Sequence, residues 1–74
     1  MRKIYTSLDI GSNYIKLIVG EFINHKLNIL CAIKGITRGF YYNQITDEDK
    51  LIKSINAVLE EAELELNFKI KNVI

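Results

Sequence analysis

An aspartate, a short polar turn and a lysine stand close together near the start of the chain, between two apolar runs. Asp9 ends the first run, Gly11, Ser12 and Asn13 form the break, and Lys16 lies within the second run. A tight turn with a glycine can point successive backbone N–H groups outward, and such a concavity suits phosphate oxygens. A carboxylate beside it can orient a water on Mg²⁺, while an ammonium balances the charge of the anion. These residue types predict a phosphate-binding turn.

The same residues also fit a purely structural turn. In that interpretation Asp9 caps the turn through its side chain, Gly11 relieves backbone strain and Lys16 is a solvated charge. The string DIGS contains neither the dinucleotide-binding fingerprint nor the Walker A pattern. Spacing alone therefore gives the two interpretations about equal weight.

The composition is typical of a small globular domain. Apolar residues make up 49% of the 74 positions and charged residues 26%, which argues against disorder and against a disulfide scaffold. The net charge of +1 gives no reason to expect nucleic acid or anionic lipid as a partner. The single cysteine, Cys31, excludes an internal disulfide and a zinc-thiolate cluster, which favours a cytoplasmic location. No apolar run approaches the roughly 18 residues of a membrane span.

Three strands are predicted to position the turn. Their composition and alternation place them at about residues 3–9, 14–22 and 26–34, joined by hairpins into an antiparallel meander. The middle strand carries apolar residues on both faces, including Ile18 and Phe22 on the second, so we expect it to be central with both faces covered.

The third strand alternates more cleanly and is predicted to lie nearer an edge, with one wetter face. Its apolar positions, expected to share one face, are Leu27, Ile29, Cys31 and Ile33. The segment 35–45 holds two glycines and an aromatic cluster, which indicates a connection that packs on the body of the domain.

A helix is predicted over about residues 47–66. Thr46 stands three positions before Asp49, a variant of the capping signature, and Asn67 is expected to end the helix. The apolar stripe at helical spacing consists of Leu51, Ile52, Ile55, Val58, Leu59, Ala62 and Leu66. A strand starting at about residue 69 is expected to return parallel beside the first strand through a right-handed crossover.

The segment LDIGSNYIKLIVGE, residues 8–21, resembles the first phosphate loop of the actin, Hsp70 and sugar-kinase superfamily. The continuation KGITRG at 34–39, the helix with its acidic start and IKNVI at 70–74 are similar to the FtsA family of bacterial cell-division proteins, over essentially the whole chain. The resemblance implies an α/β chain with a partial actin-like ATPase fold of the RNase H type. Residues 1–74 would form an N-terminal fragment of subdomain 1A.

The resemblance also implies ATP and Mg²⁺ as cofactors. Asp9 would act on Mg²⁺ through water, the backbone N–H groups of Gly11, Ser12 and Asn13 would meet the β and γ phosphates, and Lys16 would contact phosphate. The second phosphate loop and the adenosine-binding glycines of the family lie beyond this sequence. We therefore expect the parent protein to be at most a weak ATPase and the 74-residue chain alone to be inactive.

Family members are expected to polymerise into filaments as part of the bacterial cytoskeleton, at the inner face of the cell membrane. The resemblance implies that they tether the FtsZ ring at the septum, recruit other division proteins, and reach the membrane through a C-terminal helix. Two alternatives share the phosphate loop: an exopolyphosphatase-like protein and a pilus-assembly ATPase.

Other chemically capable residues are expected to have structural roles. His25 lies in a predicted turn without a second ligand, and Cys31 alternates with apolar neighbours, so neither is assigned to a site. Arg38 and the aromatic residues after it offer too little positive charge to hold nucleic acid.

Overall fold

A computed structural model of the chain describes residues 3–73. Its elements in chain order are β1 (Lys3–Ile10), β2 (Tyr14–Ile23), β3 (Lys26–Ile36), β4 (Phe40–Tyr41), β5 (Gln44–Ile45) and α1 (Glu48–Leu66). The first three strands form one antiparallel sheet in the order β1-β2-β3, and β4 and β5 form a separate hairpin. The predicted three-stranded meander followed by a helix is confirmed, with β2 at the centre and β3 at an edge.

The core lies between one face of the sheet and the helix. Ile15, Leu17 and Val19 alternate along β2 and are fully buried, because they face Val58 and Ala62 of α1. Burial of a side chain of this size stabilises the fold by about 1.5–3 kcal/mol. We call this the inner face of the sheet.

The opposite, outer face of the sheet is not covered by any element among residues 3–73. Ile18 and Phe22 are 43% and 47% exposed, so the prediction that both faces of β2 are covered is wrong for this part of the chain. The physical reason is that the one helix packs against the inner face only. The large apolar residues on the outer face are Tyr5, Tyr14, Ile18, Phe22, Leu27, Ile29 and Ile36.

A β-bulge divides the apolar residues of β3 between the two faces. The register of β3 against β2 shifts midway, and Leu30 has no residue directly opposite. Cys31 and Ile33 therefore face the helix and are buried, whereas Leu27 and Ile29 lie on the outer face and are exposed. The prediction of a single shared face is wrong because one extra residue reverses the alternation.

The helix is capped one residue later than predicted. Asp47, in extended conformation, is the N-cap, and its Oδ1 accepts a hydrogen bond from Lys50 N at 3.1 Å, so Thr46 does not have this role. The predicted end is confirmed: Asn67 is left-handed with φ 63°, and its N–H donates to Glu63 O at 2.8 Å.

The predicted apolar stripe of α1 is confirmed except at Ile52, which is 47% exposed. Ser54 lies in the buried stripe because its hydroxyl is used twice: it donates to Lys50 O at 2.9 Å and accepts from Arg38 N at 3.0 Å. Among the residues that the structure describes, no helix is long and apolar enough to cross a membrane.

The predicted strand from about residue 69 does not form within the described residues. Ile70 packs against the core, but its N–H donates to Glu63 Oε2 at 2.7 Å, so this amide is not available to pair with β1. Residues 69–73 follow α1 in irregular conformation. This part of the prediction is wrong for residues 69–73, and the last residue of the predicted strand lies outside the described range.

The segment predicted as a connection contains a small hairpin. Tyr42 and Asn43 form its turn with φ 47° and 60°, both in the left-handed region. Gly39 precedes it with φ 77°, and its carbonyl accepts hydrogen bonds from the N–H groups of Thr46 and Asp47. An added Cβ at Gly39 would collide with Asp47 O, so only glycine fits where the hairpin meets the helix N-terminus.

Candidate functional site

The predicted phosphate-binding turn joins β1 to β2 with Ser12 and Asn13 at its tip. The Gly11 N–H donates to Tyr14 O at 2.9 Å, and Thr37 N donates to Asn13 O at 2.9 Å, which ties the turn to the end of β3. A Cβ at Gly11 would lie 3.1 Å from Tyr14 O, tighter than an ordinary contact. Glycine therefore allows the backbone to close this turn.

The amides of the turn are not equally available. The Gly11 N–H is already used inside the turn, whereas the N–H groups of Ser12 and Asn13 make no hydrogen bond within residues 3–73. The Ser12 Oγ accepts a hydrogen bond from Tyr42 N at 3.1 Å. A hydroxyl that accepts from an amide keeps its own proton to donate. The tip of the turn thus offers two N–H groups and one O–H group to an anion.

Asp9 and Lys16 lie directly opposite each other on the neighbouring strands β1 and β2. Both are exposed on the outer face, and in the described part of the chain neither side chain has a hydrogen bond or ion pair. A carboxylate before the turn and an ammonium after it are therefore brought together on the two strands that flank the turn. The structural interpretation, in which the Asp9 side chain caps the turn, is not supported, because the Asp9 carboxylate accepts no hydrogen bond within residues 3–73.

Thr37 adds a polar group beside the turn that the sequence did not single out. Its side chain is buried, 7% exposed, and its Oγ1 has no hydrogen-bond partner within residues 3–73. Buried hydroxyl groups are usually satisfied by protein, water or a ligand. Thr37 is joined to the turn through its backbone, because Thr37 N donates to Asn13 O.

The site is open rather than enclosed. Asp9, Asn13 and Lys16 are all exposed, and three clefts lie away from the turn: near the end of α1, beside the first residues of β1, and at the turn between β2 and β3. No group of three or more metal-binding side chains occurs among residues 3–73. Asp9 is not part of such a cluster, which fits contact with a cation through water better than direct enclosure.

The other candidate residues lie away from the turn or are inactive. His25 is exposed in the turn between β2 and β3, at the other end of the sheet. Burial, the hydrogen bond to Glu65 and the charges of Glu65 and Glu61 together raise the pKa of the Cys31 thiol to about 11. A thiol with this pKa carries little thiolate at neutral pH, so Cys31 is a poor nucleophile.

Two features of the site could not be read from the sequence. One is the contact of the β4–β5 hairpin with Ser12, because Tyr42 is an unusual residue at a left-handed turn position and gave no turn signal. The other is Lys34, whose Nζ lies 4.0 Å from the centroid of the Tyr14 ring. Lys34 is also directly opposite Lys16 on the outer face, a pairing that depends on the register between β2 and β3.

The chain is similar in sequence to several curated proteins. It is 33% identical over 72 residues to the cell division protein FtsA of Bacillus subtilis, a match that covers 97% of this chain. It is 31% identical over 70 residues to FtsA of Enterococcus hirae and 29% identical over 70 residues to FtsA of Enterococcus faecalis. In each case the chain spans 16% of the relative's length. No family model matches the chain.

Proposed function

Because this chain belongs to the FtsA family of cell-division proteins, we propose that it supplies the first phosphate-binding turn of an ATP-binding site in a longer division protein. The supporting observation is the turn itself. Its tip offers the N–H groups of Ser12 and Asn13 and the hydroxyl of Ser12, with Lys16 on the adjacent strand. Several hydrogen-bond donors and a cation at one end of the sheet suit the oxygens of a phosphate chain.

The proposed roles of the individual residues follow from their hydrogen bonds. The Gly11 amide is occupied, so Gly11 acts by letting the turn close, and the amides of Ser12 and Asn13 bind the β and γ phosphates. Lys16 binds a phosphate oxygen as a point charge. Asp9 orients a water of Mg²⁺, and the bound ion supplies partial neutralisation of the phosphate charge.

We further propose an actin-like ATPase fold for the parent protein, built on the α/β arrangement of a three-stranded meander and a helix. In that parent the chain would take part in polymerisation at the inner face of the cell membrane, in the cytoplasm, and in tethering the FtsZ ring. Membrane contact would come from a helix outside these 74 residues. The six relatives found share the FtsA name, which supports this assignment over an exopolyphosphatase-like protein or a pilus-assembly ATPase.

The test is a titration of the ¹⁵N-labelled chain with ATP, followed by amide chemical shifts, with and without Mg²⁺. Binding by half a cleft is weak, so millimolar ligand is used. We expect the largest shifts at Ser12 and Asn13. Asp9→Asn should weaken binding of Mg·ATP by about fivefold, whereas it should strengthen binding of ATP alone, because the substitution removes a charge that repels the phosphates.

The control is Glu60→Gln, which removes an equal charge from an exposed position on α1 and should change neither affinity by as much as twofold. Unchanged amide shifts at the turn in saturating Mg·ATP would count against the proposed site. Equal effects of Asp9→Asn with and without Mg²⁺ would count against the role given to Asp9.

A further inference from the structure

Three charged side chains form a row across the sheet, one on each strand. Asp9 on β1 is opposite Lys16 on β2, and Lys16 is opposite Lys34 on β3. All three lie on the outer face, are exposed, and have no ion pair within residues 3–73. Its first two members, Asp9 and Lys16, lie on the two strands that the phosphate-binding turn joins. The row has one negative and two positive charges.

The Lys16–Lys34 pair is unfavourable for the sheet by itself. The hydrogen bond from Thr37 N to Asn13 O fixes the alternation of the β2–β3 ladder, which makes Lys16 and Lys34 a non-hydrogen-bonded pair, the kind with the closer side chains. Like charges directly opposite each other destabilise an antiparallel pair. Asp9 can offset only part of this repulsion because it neighbours Lys16 and not Lys34. An anion held between the two ammonium groups would remove the repulsion.

The aromatic ring of Tyr14 positions the ammonium group of Lys34. The Lys34 Nζ lies 4.0 Å from the centre of the Tyr14 ring, a distance at which the ring attracts the cation. Tyr14 is the first residue after the turn and is diagonal to Lys34 across the ladder. This contact therefore holds the ammonium on the side of Lys34 that faces the turn, rather than towards the far end of the sheet.

We propose that Lys34 is a second phosphate-binding cation of the site and that the Tyr14 ring positions it. The inference rests on the proposed phosphate-binding function and extends it to the class of ligand. With donors at the tip of the turn and two ammonium groups beside it, the site takes a chain of phosphates with several charges in preference to a single phosphate group. The adjacent cation on β3 selects for the length and charge of the ligand.

The test compares tripolyphosphate with inorganic phosphate as ligands of the ¹⁵N-labelled full chain, at constant ionic strength. For Lys34→Gln we expect about a fivefold loss of affinity for tripolyphosphate, equivalent to about 1 kcal/mol, and less than a twofold loss for inorganic phosphate. Lys53→Gln is the matched control, since it removes the same charge from an exposed position on α1, and it should change neither affinity by twofold.

A second pair of variants tests the positioning of Lys34. Tyr14→Phe keeps an aromatic face and should bind tripolyphosphate as the parent chain does, whereas Tyr14→Leu should lose about twofold to threefold. In Tyr14→Leu the Lys34 side-chain resonances should also lose the upfield shift that an aromatic ring causes, a signal that general destabilisation would not produce selectively.

The outcomes separate this inference from the proposed function. If Lys16→Gln weakens tripolyphosphate binding while Lys34→Gln does not, the role of Lys34 is refuted and the phosphate-binding turn stands. If Lys53→Gln is as harmful as Lys34→Gln, the effect is one of net charge and the inference fails. If the turn amides of the unaltered chain do not shift in tripolyphosphate, both the inference and the proposed function fail.

Discussion

Gly35 allows β3 and α1 to approach each other closely, and an alanine there should separate them. A Cβ built on Gly35 would lie 2.5 Å from Val58 Cγ1. Val58 is 2% exposed and packs in the core, so the methyl group has no solvent space to move into. A valine in a helix is also restricted largely to one χ1 rotamer, which removes the easiest local relief. The helix itself must therefore shift.

The expected cost can be worked out from these contacts. Overpacking of a well-packed core lowers the free energy of unfolding by about 1–3 kcal/mol. Alanine has a lower chain entropy than glycine in the unfolded state, and this offsets about 0.4–1 kcal/mol of the loss. We expect Gly35→Ala to lower the free energy of unfolding by about 1–2 kcal/mol. Val58→Ala should cost about 2–3 kcal/mol through two lost methyl groups and the cavity left behind. In the double variant the new methyl group occupies the vacated space, so the two losses should not add, with a coupling of about 1–2 kcal/mol.

Urea denaturation followed by circular dichroism measures all three variants, and a shift of the midpoint at constant slope reports the change in stability. Gly20→Ala is the matched control. Its added Cβ would lie 2.7 Å from Leu27 Cδ1, the free end of a side chain that is 52% exposed and can rotate away. That variant should stay within about 0.5 kcal/mol of the parent chain. Additive losses for Gly35→Ala and Val58→Ala, or a neutral Gly35→Ala, would refute the proposed helix–sheet contact.

Four further predictions concern the helix ends and the thiol. Asp47→Ala should lower stability by about 1 kcal/mol in urea denaturation, because Lys50 N loses its side-chain acceptor. Asn67→Ala should cost about 1 kcal/mol, whereas Asn67→Gly should be neutral or stabilising, since the residue has φ 63°. Because the pKa of Cys31 is raised to about 11 from 9.0, the folded chain holds the thiol proton more strongly than the unfolded chain does, so the free energy of unfolding should fall as the pH rises from 9 towards 11. The same protonated thiol should be alkylated by iodoacetamide at pH 8 far more slowly in the folded chain than in urea; equal rates would contradict its burial.

Local sequence patterns were sufficient for the main elements of this fold. Period-two alternation and the turn signals at Asn24 and His25 predicted the three strands, and helical spacing with Asn67 at its end predicted α1. Each of these patterns spans only a few neighbouring residues, so the elements could be predicted without knowledge of the tertiary contacts. The central position of β2 followed from its continuous apolar character.

Two of the errors came from contacts that the local sequence pattern does not show. The bulge that moves Leu27 and Ile29 to the outer face depends on how β2 and β3 pair, and no residue on β3 alone marks it. The hydrogen bond from Ile70 N to Glu63 Oε2, which occupies an amide of the predicted last strand, is likewise not marked by the local pattern. In the candidate site, residue types predicted the turn and its neighbouring charges, whereas Lys34 required the strand register.

The residues proposed to bind phosphate and the residues that stabilise the fold lie on opposite faces of the same strands. Period-two alternation puts Leu17 and Ile33 in the core and places their neighbours Lys16 and Lys34 on the outer face. Substitutions in the charged row remove no core contact and, for the two lysines, relieve repulsion between them. Lys16→Gln and Lys34→Gln should therefore leave the free energy of unfolding unchanged or slightly raised while weakening anion binding. A group of charges that costs stability is expected where the charges serve a ligand rather than the fold.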